Sequence, residues 1–185
     1  KLPVLFIIVG LVFIVTISCG RSSVRPPGST DPVNVPPEVI AKFGIYGFAS
    51  VPTGEFPNGT TGRTGGEVTY VSTGAELQAA INKAMPKNGG KPQIIYVQGE
   101  ITEANTGAKQ IDIKDVKNVS VIGVGTSAVF NAIGINISRA SNIIVQNVTI
   151  HHNRSGQKDA ISIQNSGSHI WIDHCELYNS LDVGK

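Results

Sequence analysis

The residues that first suggest chemistry lie in the run Ile-Trp-Ile-Asp-His, which ends at Asp173 and His174. A carboxylate beside an imidazole at the end of an apolar strand can act as an acid–base pair, bind a metal ion or serve only as a hydrogen-bonded structural pair. Buried polar groups need hydrogen-bond partners, and the segments of chain packed beside this strand can supply them. We therefore expect Asp173 and His174, like the adjacent Trp171, to be structural.

A second candidate is the pair His151–His152, because imidazole is the commonest ligand of transition metals. Successive side chains of a strand point to opposite faces. The two rings are therefore expected to diverge, and the spacing predicts no metal site at this pair.

Composition narrows the class of protein. The 185 residues are 41% hydrophobic, which is enough for one domain with its own core. A net charge of +2 and an aromatic fraction of 6% argue against a nucleic-acid partner. The 21 glycines and 10 prolines favour a turn-rich, all-β protein. We expect a monomer that does not bind nucleic acid.

The first residues have the pattern of an export signal. Residues 2–17 are almost entirely apolar, and the following Ser-Cys-Gly resembles the cleavage box of a bacterial lipoprotein. We predict a signal peptide over residues 1–19, lipidation of Cys19, and a Pro/Ser-rich tether over residues 20–42 before a domain at 43–185. An ordinary secretory signal and a retained anchor are the alternatives. All three place the protein outside the cytoplasm, and the first makes it a membrane-anchored lipoprotein.

One helix is expected at the start of the domain. Thr73 and Glu76 have the spacing of a capping box, and the apolar residues that follow keep helical spacing until Pro86. The pattern predicts a helix over Ala75 to Met85.

The remainder of the chain repeats. Similar apolar runs begin at Lys117, Ser141 and Ser168, with Asn118, Asn142 and His169 in the same place at separations of 24 and 27 residues. A shorter apolar strand precedes each run. A unit of two short strands cannot bury its apolar face alone, so this period predicts a right-handed parallel β-helix whose N-terminal end is covered by the helix. No cover for the other end is found, and we expect the stack to be truncated at its C-terminus.

The order of these segments resembles the pectate lyase family. The segments are "TTGRTGGEVTYVSTGAELQAAI", "IYVQGEI", "IGVG", "SNIIVQNVTI", "KDAISI" and "IWIDHCEL", and the resemblance spans Tyr46 to Lys185. The last two are the most specific. The resemblance implies cleavage of polygalacturonate (pectate) by β-elimination, with Ca²⁺ neutralising the substrate carboxylate and an arginine as the base.

Residue by residue, the resemblance implies that Asp159 is a calcium ligand. Gln157 stands where many members have a second aspartate. Arg154 and Lys158 flank this turn and are candidates for binding galacturonate carboxylates. In the family the catalytic arginine comes from a coil beyond the last residue of this chain, so the resemblance implies no catalytic residue here and no activity of the 185-residue chain alone.

Two other functions stay open. A non-catalytic β-helix could bind polysaccharide or serve as an adhesin-type surface protein. A polygalacturonase would share the fold but would use paired aspartates to hydrolyse the glycosidic bond. The sequence shows no closely spaced pair of this kind, which disfavours the hydrolase.

Overall fold

The computed structural model describes residues 47–62 and 65–179. The predicted signal peptide, Cys19 and the tether lie outside the described residues. Within the described ranges, the strands form three parallel sheets. Sheet A contains β1 (Glu67–Val71), β2 (Gln93–Val97), β5 (Lys117–Gly123), β8 (Ser141–Gln146) and β11 (Ser168–Asp173). Sheet B contains β3 (Glu100–Thr102), β6 (Val129–Asn131), β9 (Thr149–His151) and β12 (Glu176–Tyr178). Sheet C contains β4 (Gln110–Lys114), β7 (Gly134–Ser138) and β10 (Ile161–Gln164).

The chain visits sheets A, B and C in turn, so each circuit stacks on the circuit before it. Equivalent residues pair in register, as in the row formed by Ile111, Ile135 and Ile161. Inward-facing Ile, Val and Phe side chains fill the interior, and most of them are inaccessible to solvent. The parallel β-helix predicted from the repeat is therefore confirmed.

Each circuit has three strands, and the expectation of two was wrong. The missed strands are those of sheet B, which have only three residues each. Each contributes one inward side chain, such as Ile101 or Phe130, and both of these are fully buried. A three-residue strand is too short to show the alternation that identifies a strand in a sequence.

Helix α1 spans Gly74–Asn82 and begins with the predicted capping box. It ends earlier than Met85. The residues after Asn82 form the tighter i→i−3 hydrogen bonds. Met85 is extended, because it precedes Pro86, which starts a 3₁₀ turn (Pro86–Asn88). A second helix, α2, is a single turn at Glu103–Thr106. None of the helices in the described ranges is long and apolar enough to cross a membrane.

Helix α1 covers the first coil, as predicted. Leu77 and Ile81 are fully buried in the core of the β-helix. The Gln78 side chain also binds the free edge of β4, because its Nε2 donates to the Asp112 carbonyl (2.9 Å) and its Oε1 accepts from the Asp112 N–H (2.8 Å). The Gln78 amide thus satisfies backbone groups at the edge of sheet C that a neighbouring strand would otherwise bind.

The N-terminal arm, residues 47–62, lies against the outer face of sheet A. It contains one 3₁₀ turn (Gly47–Ser50) and otherwise no regular structure. The side chain of Asn142 binds the C-terminal end of this arm. Its Oδ1 accepts hydrogen bonds from the N–H groups of Thr61 and Gly62 (both 2.7 Å). Its Nδ2 donates to Thr61 Oγ1 (3.0 Å) and to Asn118 Oδ1 (2.7 Å). The stacked position predicted from the repeat is thus the anchor of the arm.

Glu76 gives the cap of α1 a dependence on pH. Its carboxylate accepts hydrogen bonds from the Ser72 and Thr73 N–H groups, and the bond from Ser72 is the main cause that lowers the pKa of Glu76. A carboxyl with a lowered pKa in the folded state stabilises the protein above its unfolded pKa, and this stabilisation is lost as pH falls through the folded pKa. We expect Glu76→Gln to reduce the free energy of unfolding by about 1 kcal/mol at neutral pH.

The same substitution is expected to cost progressively less in acid. Urea denaturation followed by circular dichroism, at neutral pH and at about pH 3, measures both values. A loss that stays constant down to the acid end would contradict the assignment of the effect to the ionised carboxylate.

Candidate functional site

The predicted calcium ligand and the two predicted substrate-binding residues lie on one loop. Residues 152–160 connect β9 of sheet B to β10 of sheet C, and we call this segment the Asp159 loop. It carries Arg154, Lys158 and Asp159, and all three side chains are exposed. The structure therefore brings two cations and one carboxylate together on a single exposed connection.

Asn153 holds the Asp159 loop in shape from within. Its side chain is buried, with 8% of its surface exposed. The amide Nδ2 donates to the Asp159 carbonyl (2.6 Å), and Oδ1 accepts from the Ser155 N–H (3.2 Å). The Lys158 N–H donates to the Ser155 carbonyl (2.8 Å), which closes a turn inside the loop. Asn153, which the sequence reasoning missed, thus fixes the backbone on both sides of the exposed charges.

The loop packs directly on a glycine of β7. A Cβ added at Gly134 would overlap the Asp159 carbonyl oxygen and come within 2.5 Å of Asn153 Nδ2. The backbone of Gly134 is in an ordinary conformation, so the need for glycine here is a matter of space. A glycine at the first position of a strand whose inward residues are isoleucine is the sequence signal that could have found it, because such a glycine often marks close approach of another backbone.

An earlier coil also supports the loop. Gln110 Oε1, on the outer face of β4, accepts from the Gln157 N–H (3.1 Å). Glu103 of α2 accepts a hydrogen bond from the Ser155 hydroxyl, and this bond, with a lesser contribution from Lys109 at 3.4 Å, lowers the pKa of Glu103. Both side chains belong to the coil of β2, β3 and β4, so the loop is positioned by side chains from the coil two before its own.

The Asp159 carboxylate takes no part in this support. The backbone oxygen of Asp159 is bound by Asn153, whereas its carboxylate has no hydrogen bond or ion pair within the described ranges. The local N–H group of Ser155 is bound by Asn153 and not by Asp159. The carboxylate of Asp159 is free to bind a ligand from solution.

A complete calcium site is not formed by these residues. Ca²⁺ takes six to eight oxygen ligands. Nowhere in the described part of the chain do three or more His, Cys, Asp or Glu side chains converge. Gln157 is held here by its backbone N–H. Asp159 alone does not fit a calcium site, so its role as a ligand stays a prediction that requires oxygens from elsewhere.

Asp173 and His174 lie at a different corner, where sheet A turns into sheet B. Asp173 Oδ2 is 2.6 Å from His174 Nδ1 and accepts from Gln146 Nε2 (2.9 Å) in the preceding coil. The carbonyl of Asp173 accepts from the Cys175 thiol (3.2 Å), whose pKa is raised by burial. The structure does not bring this pair to the Asp159 loop, and its contacts are those of residues that join one coil to the next.

Trp171 lies on the outer face of sheet A, in register with Ile144. It lines a groove of about 770 Å³ between sheet A and the N-terminal arm. On the arm side the groove is bounded by Phe48 and Val51, which are both exposed. Trp171 therefore packs beneath the arm and is remote in the fold from the connection that carries Asp159.

His151 and His152 do not diverge, so that expectation was wrong. Their Nδ1 atoms are 2.8 Å apart. β9 ends at His151, and His152 adopts a left-handed conformation (φ 57°) that turns its ring back toward its neighbour. The rule of alternating faces applies only inside a strand.

A family model described as pectate lyase matches residues 43–181. The chain belongs to the pectate lyase family. It is 48% identical over 146 residues to a pectate trisaccharide-lyase of Bacillus licheniformis, covering 79% of this chain and 40% of that protein. A pectate trisaccharide-lyase of Thermotoga maritima is 33% identical over 144 residues, covering 74% and 36% of the two chains. The chain thus spans about 40% of the length of the curated relatives it matches.

Solved structures of the family agree with the fold. The pectate lyase of Bacillus sp. N165, in complex with trigalacturonate, superposes with a TM-score of 0.67 at 44% identity, covering 74% of this chain and 43% of that one. Pectate lyase C of Erwinia chrysanthemi, solved with Ca²⁺, has a TM-score of 0.50 at 24% identity, covering 64% and 39%, and supports the β-helix fold alone.

Proposed function

We propose that this protein is a pectate lyase that cleaves polygalacturonate by β-elimination. The observation that carries the proposal is the Asp159 loop, whose backbone is bound by the buried Asn153 while its Asp159, Arg154 and Lys158 side chains are exposed. Membership of the pectate lyase family supports the reaction, and the trigalacturonate bound to the relative from Bacillus sp. N165 supports the substrate class.

Arg154 and Lys158 have the properties needed to bind uronate groups. Each galacturonate residue carries one carboxylate, and guanidinium and ammonium groups form charge-assisted hydrogen bonds with carboxylates. In the part of the chain that is described, neither side chain is engaged in an ion pair. Both cations therefore need not break an internal contact to meet the substrate.

Asp159 is proposed to supply one oxygen ligand to Ca²⁺, with the remaining oxygens from the substrate carboxylates and from residues outside those described. When bound, such an ion neutralises carboxylate charge beside the carbon that loses its proton. The contribution of this chain is to hold Asp159 next to Lys158 on a loop whose backbone is bound by Asn153. The base that removes the proton is proposed to lie outside the described residues.

Export is proposed on the pattern of the first residues. Removal of residues 1–19 with lipidation at Cys19 would tether the domain to a bacterial membrane through residues 20–42. Such a location suits an enzyme whose polymeric substrate lies outside the cell.

An assay of the protein expressed from its native gene tests the proposed function directly. Unsaturated product formed from polygalacturonate is followed by ultraviolet absorbance, with and without a chelator. We expect a rise in absorbance that the chelator abolishes and calcium restores. Binding of polygalacturonate without any such rise would contradict the lyase and support the non-catalytic, polysaccharide-binding alternative.

Asp159→Asn tests the ligand role. We expect the Ca²⁺ concentration for half-maximal activity to rise by about tenfold or more, the effect of losing one charged oxygen contact. Asp115→Asn is the matched control, because Asp115 is also exposed but is paired with Arg139 (2.6 Å) at another corner. Calorimetric titration with Ca²⁺ gives a second readout independent of turnover. Equal effects of the two substitutions would contradict a specific role for Asp159.

A further inference from the structure

We propose that His151 and His152 form a binding site for a divalent transition-metal ion, Cu²⁺ or Ni²⁺, on the outer face of sheet B. The site is distinct from the proposed calcium ligand, because it offers two imidazole nitrogens, whereas Ca²⁺ binds oxygen. Nothing in this inference depends on the lyase reaction.

The Nδ1 atoms of the two histidines already lie within hydrogen-bonding distance of each other. The Nδ1 atoms of His151 and His152 are 2.8 Å apart, so one of them carries a proton that the other accepts. A metal ion binds the deprotonated nitrogen of a neutral imidazole. A cation that displaces the shared proton can therefore bind both nitrogens of the pair.

Their separation selects the geometry of the ion. With metal–nitrogen bonds of about 2.0 Å, two nitrogens 2.8 Å apart subtend an angle of about 90° at the metal. Tetrahedral coordination, which Zn²⁺ prefers, needs a nitrogen–nitrogen distance of about 3.3 Å with the same bonds. Adjacent corners of a square-planar or tetragonal site match the right angle, and that geometry is typical of Cu²⁺ and Ni²⁺ with nitrogen ligands. Water would complete the coordination.

Tyr178 holds the rings in place. It is paired in register with His151 in the next coil and stacks on that ring, with centroids 5.2 Å apart and planes at 27°. It also meets the ring of His152 edge-on, at 6.1 Å and 78°. Because the two imidazoles are restrained before the ion arrives, less conformational entropy is lost on binding.

The charge of this face also favours a cation. The outward residues of the four strands of sheet B include Glu100 and Glu176 and no lysine or arginine. Glu100 binds Asn131 (2.8 Å), which occupies the position of His151 one coil earlier. The strands beside the histidine pair therefore contribute carboxylates and no cation, while Arg154 follows His152 by two residues on the Asp159 loop.

Titration of the untagged protein with CuCl₂ or NiCl₂ tests the site, by calorimetry and, for Cu²⁺, by electron paramagnetic resonance. We expect one ion per chain, hyperfine structure from two nitrogens, and no competition from excess Ca²⁺. His151→Ala and His152→Asn should each weaken binding by at least about tenfold, as even loss of an outer-shell partner of a metal-ligating histidine does. Asparagine is chosen at 152 because it tolerates the left-handed backbone of that position.

The other two of the four histidines provide matched controls. His169→Asn and His174→Asn, at positions that share the left-handed backbone of His152, should leave the affinity and the spectrum unchanged. Circular dichroism of each variant confirms that the fold is retained. The proposal is overturned if the two pair variants still bind one ion with wild-type affinity, or if all four variants weaken binding alike, which would show general surface affinity for the metal.

Discussion

Asn142→Ala is expected to lower the free energy of unfolding by about 3 kcal/mol more than Asn118→Ala does. Both asparagines occupy the same corner of successive coils, and both have a left-handed backbone, with φ of 57° and 61°. The cost of placing alanine in that conformation is therefore common to the two variants and cancels in the comparison. What remains is the difference in the hydrogen bonds that each side chain makes.

Those hydrogen bonds differ in number and in burial. Within residues 47–62 and 65–179, Asn142 accepts from the N–H groups of Thr61 and Gly62, whereas the Asn118 side chain only accepts from Asn142. Gly62 is pressed against sheet A so closely that a Cβ there would come within 2.5 Å of Ser120 Oγ and 2.8 Å of Ile144 Cδ1. Gly62 is buried, and its N–H loses the acceptor that Asn142 supplies. Each buried group left without a partner costs about 1–3 kcal/mol.

Urea denaturation of the two variants measures the difference, and hydrogen exchange locates it. We expect the amides of Thr61 and Gly62 to exchange faster in Asn142→Ala and to keep their protection in Asn118→Ala. If both variants lose the same free energy, then Asn142 does not anchor the N-terminal arm through these hydrogen bonds.

The repeat made the coils and the cap predictable from the sequence. Strands of four or more residues with β-branched side chains recur at nearly constant spacing, and the register of Ile111, Ile135 and Ile161 follows directly from it. The capping box at Thr73 fixed the start of α1. The end of α1 was less predictable, because the tightening after Asn82 depends on Pro86 and on the turn that it begins.

The candidate site was only partly predictable from the sequence, because its geometry depends on the conformation of the backbone. Asp159, Arg154 and Lys158 are neighbours in sequence, so their proximity required no knowledge of the fold. In contrast, the burial of Asn153 depends on how the loop folds over β7, which no local pattern reveals. The convergence of His151 and His152 depends on a single left-handed residue at a strand end. Histidine adopts this conformation less readily than glycine, so the sequence did not signal it.

Gly134→Ala is expected to have the largest effect on the Asp159 loop. The new methyl group would collide with the Asp159 carbonyl, which is backbone, and with the Asn153 side-chain amide. Since the loop must move to admit it, the Asn153–Asp159 hydrogen bond (2.6 Å) is lost. We expect a loss of about 2–3 kcal/mol in the free energy of unfolding, the upper part of the range for overpacking.

A displacement of the loop should also change the Ca²⁺ requirement, because the backbone of Asp159 sets the direction of its carboxylate. We expect Gly134→Ala to raise the Ca²⁺ requirement of the lyase reaction, as Asp159→Asn does, although the carboxylate itself is intact. Gly54→Ala is the control, since Gly54 also has an ordinary backbone conformation but a Cβ there would have nothing within 4 Å. Both variants are compared by urea denaturation and by calcium titration of activity.

A double-mutant cycle then separates the collision from a general loss of stability. If the Cβ at position 134 acts by displacing the Asn153 amide, then Gly134→Ala and Asn153→Ala remove the same hydrogen bond. Their combined effect should fall short of the sum by about 1 kcal/mol or more, the size of coupling seen between residues in contact. Additive losses would mean that the glycine is required for the packing of β7 alone. Coupled losses, together with a raised Ca²⁺ requirement, would show that an interior glycine and a buried amide position the exposed carboxylate.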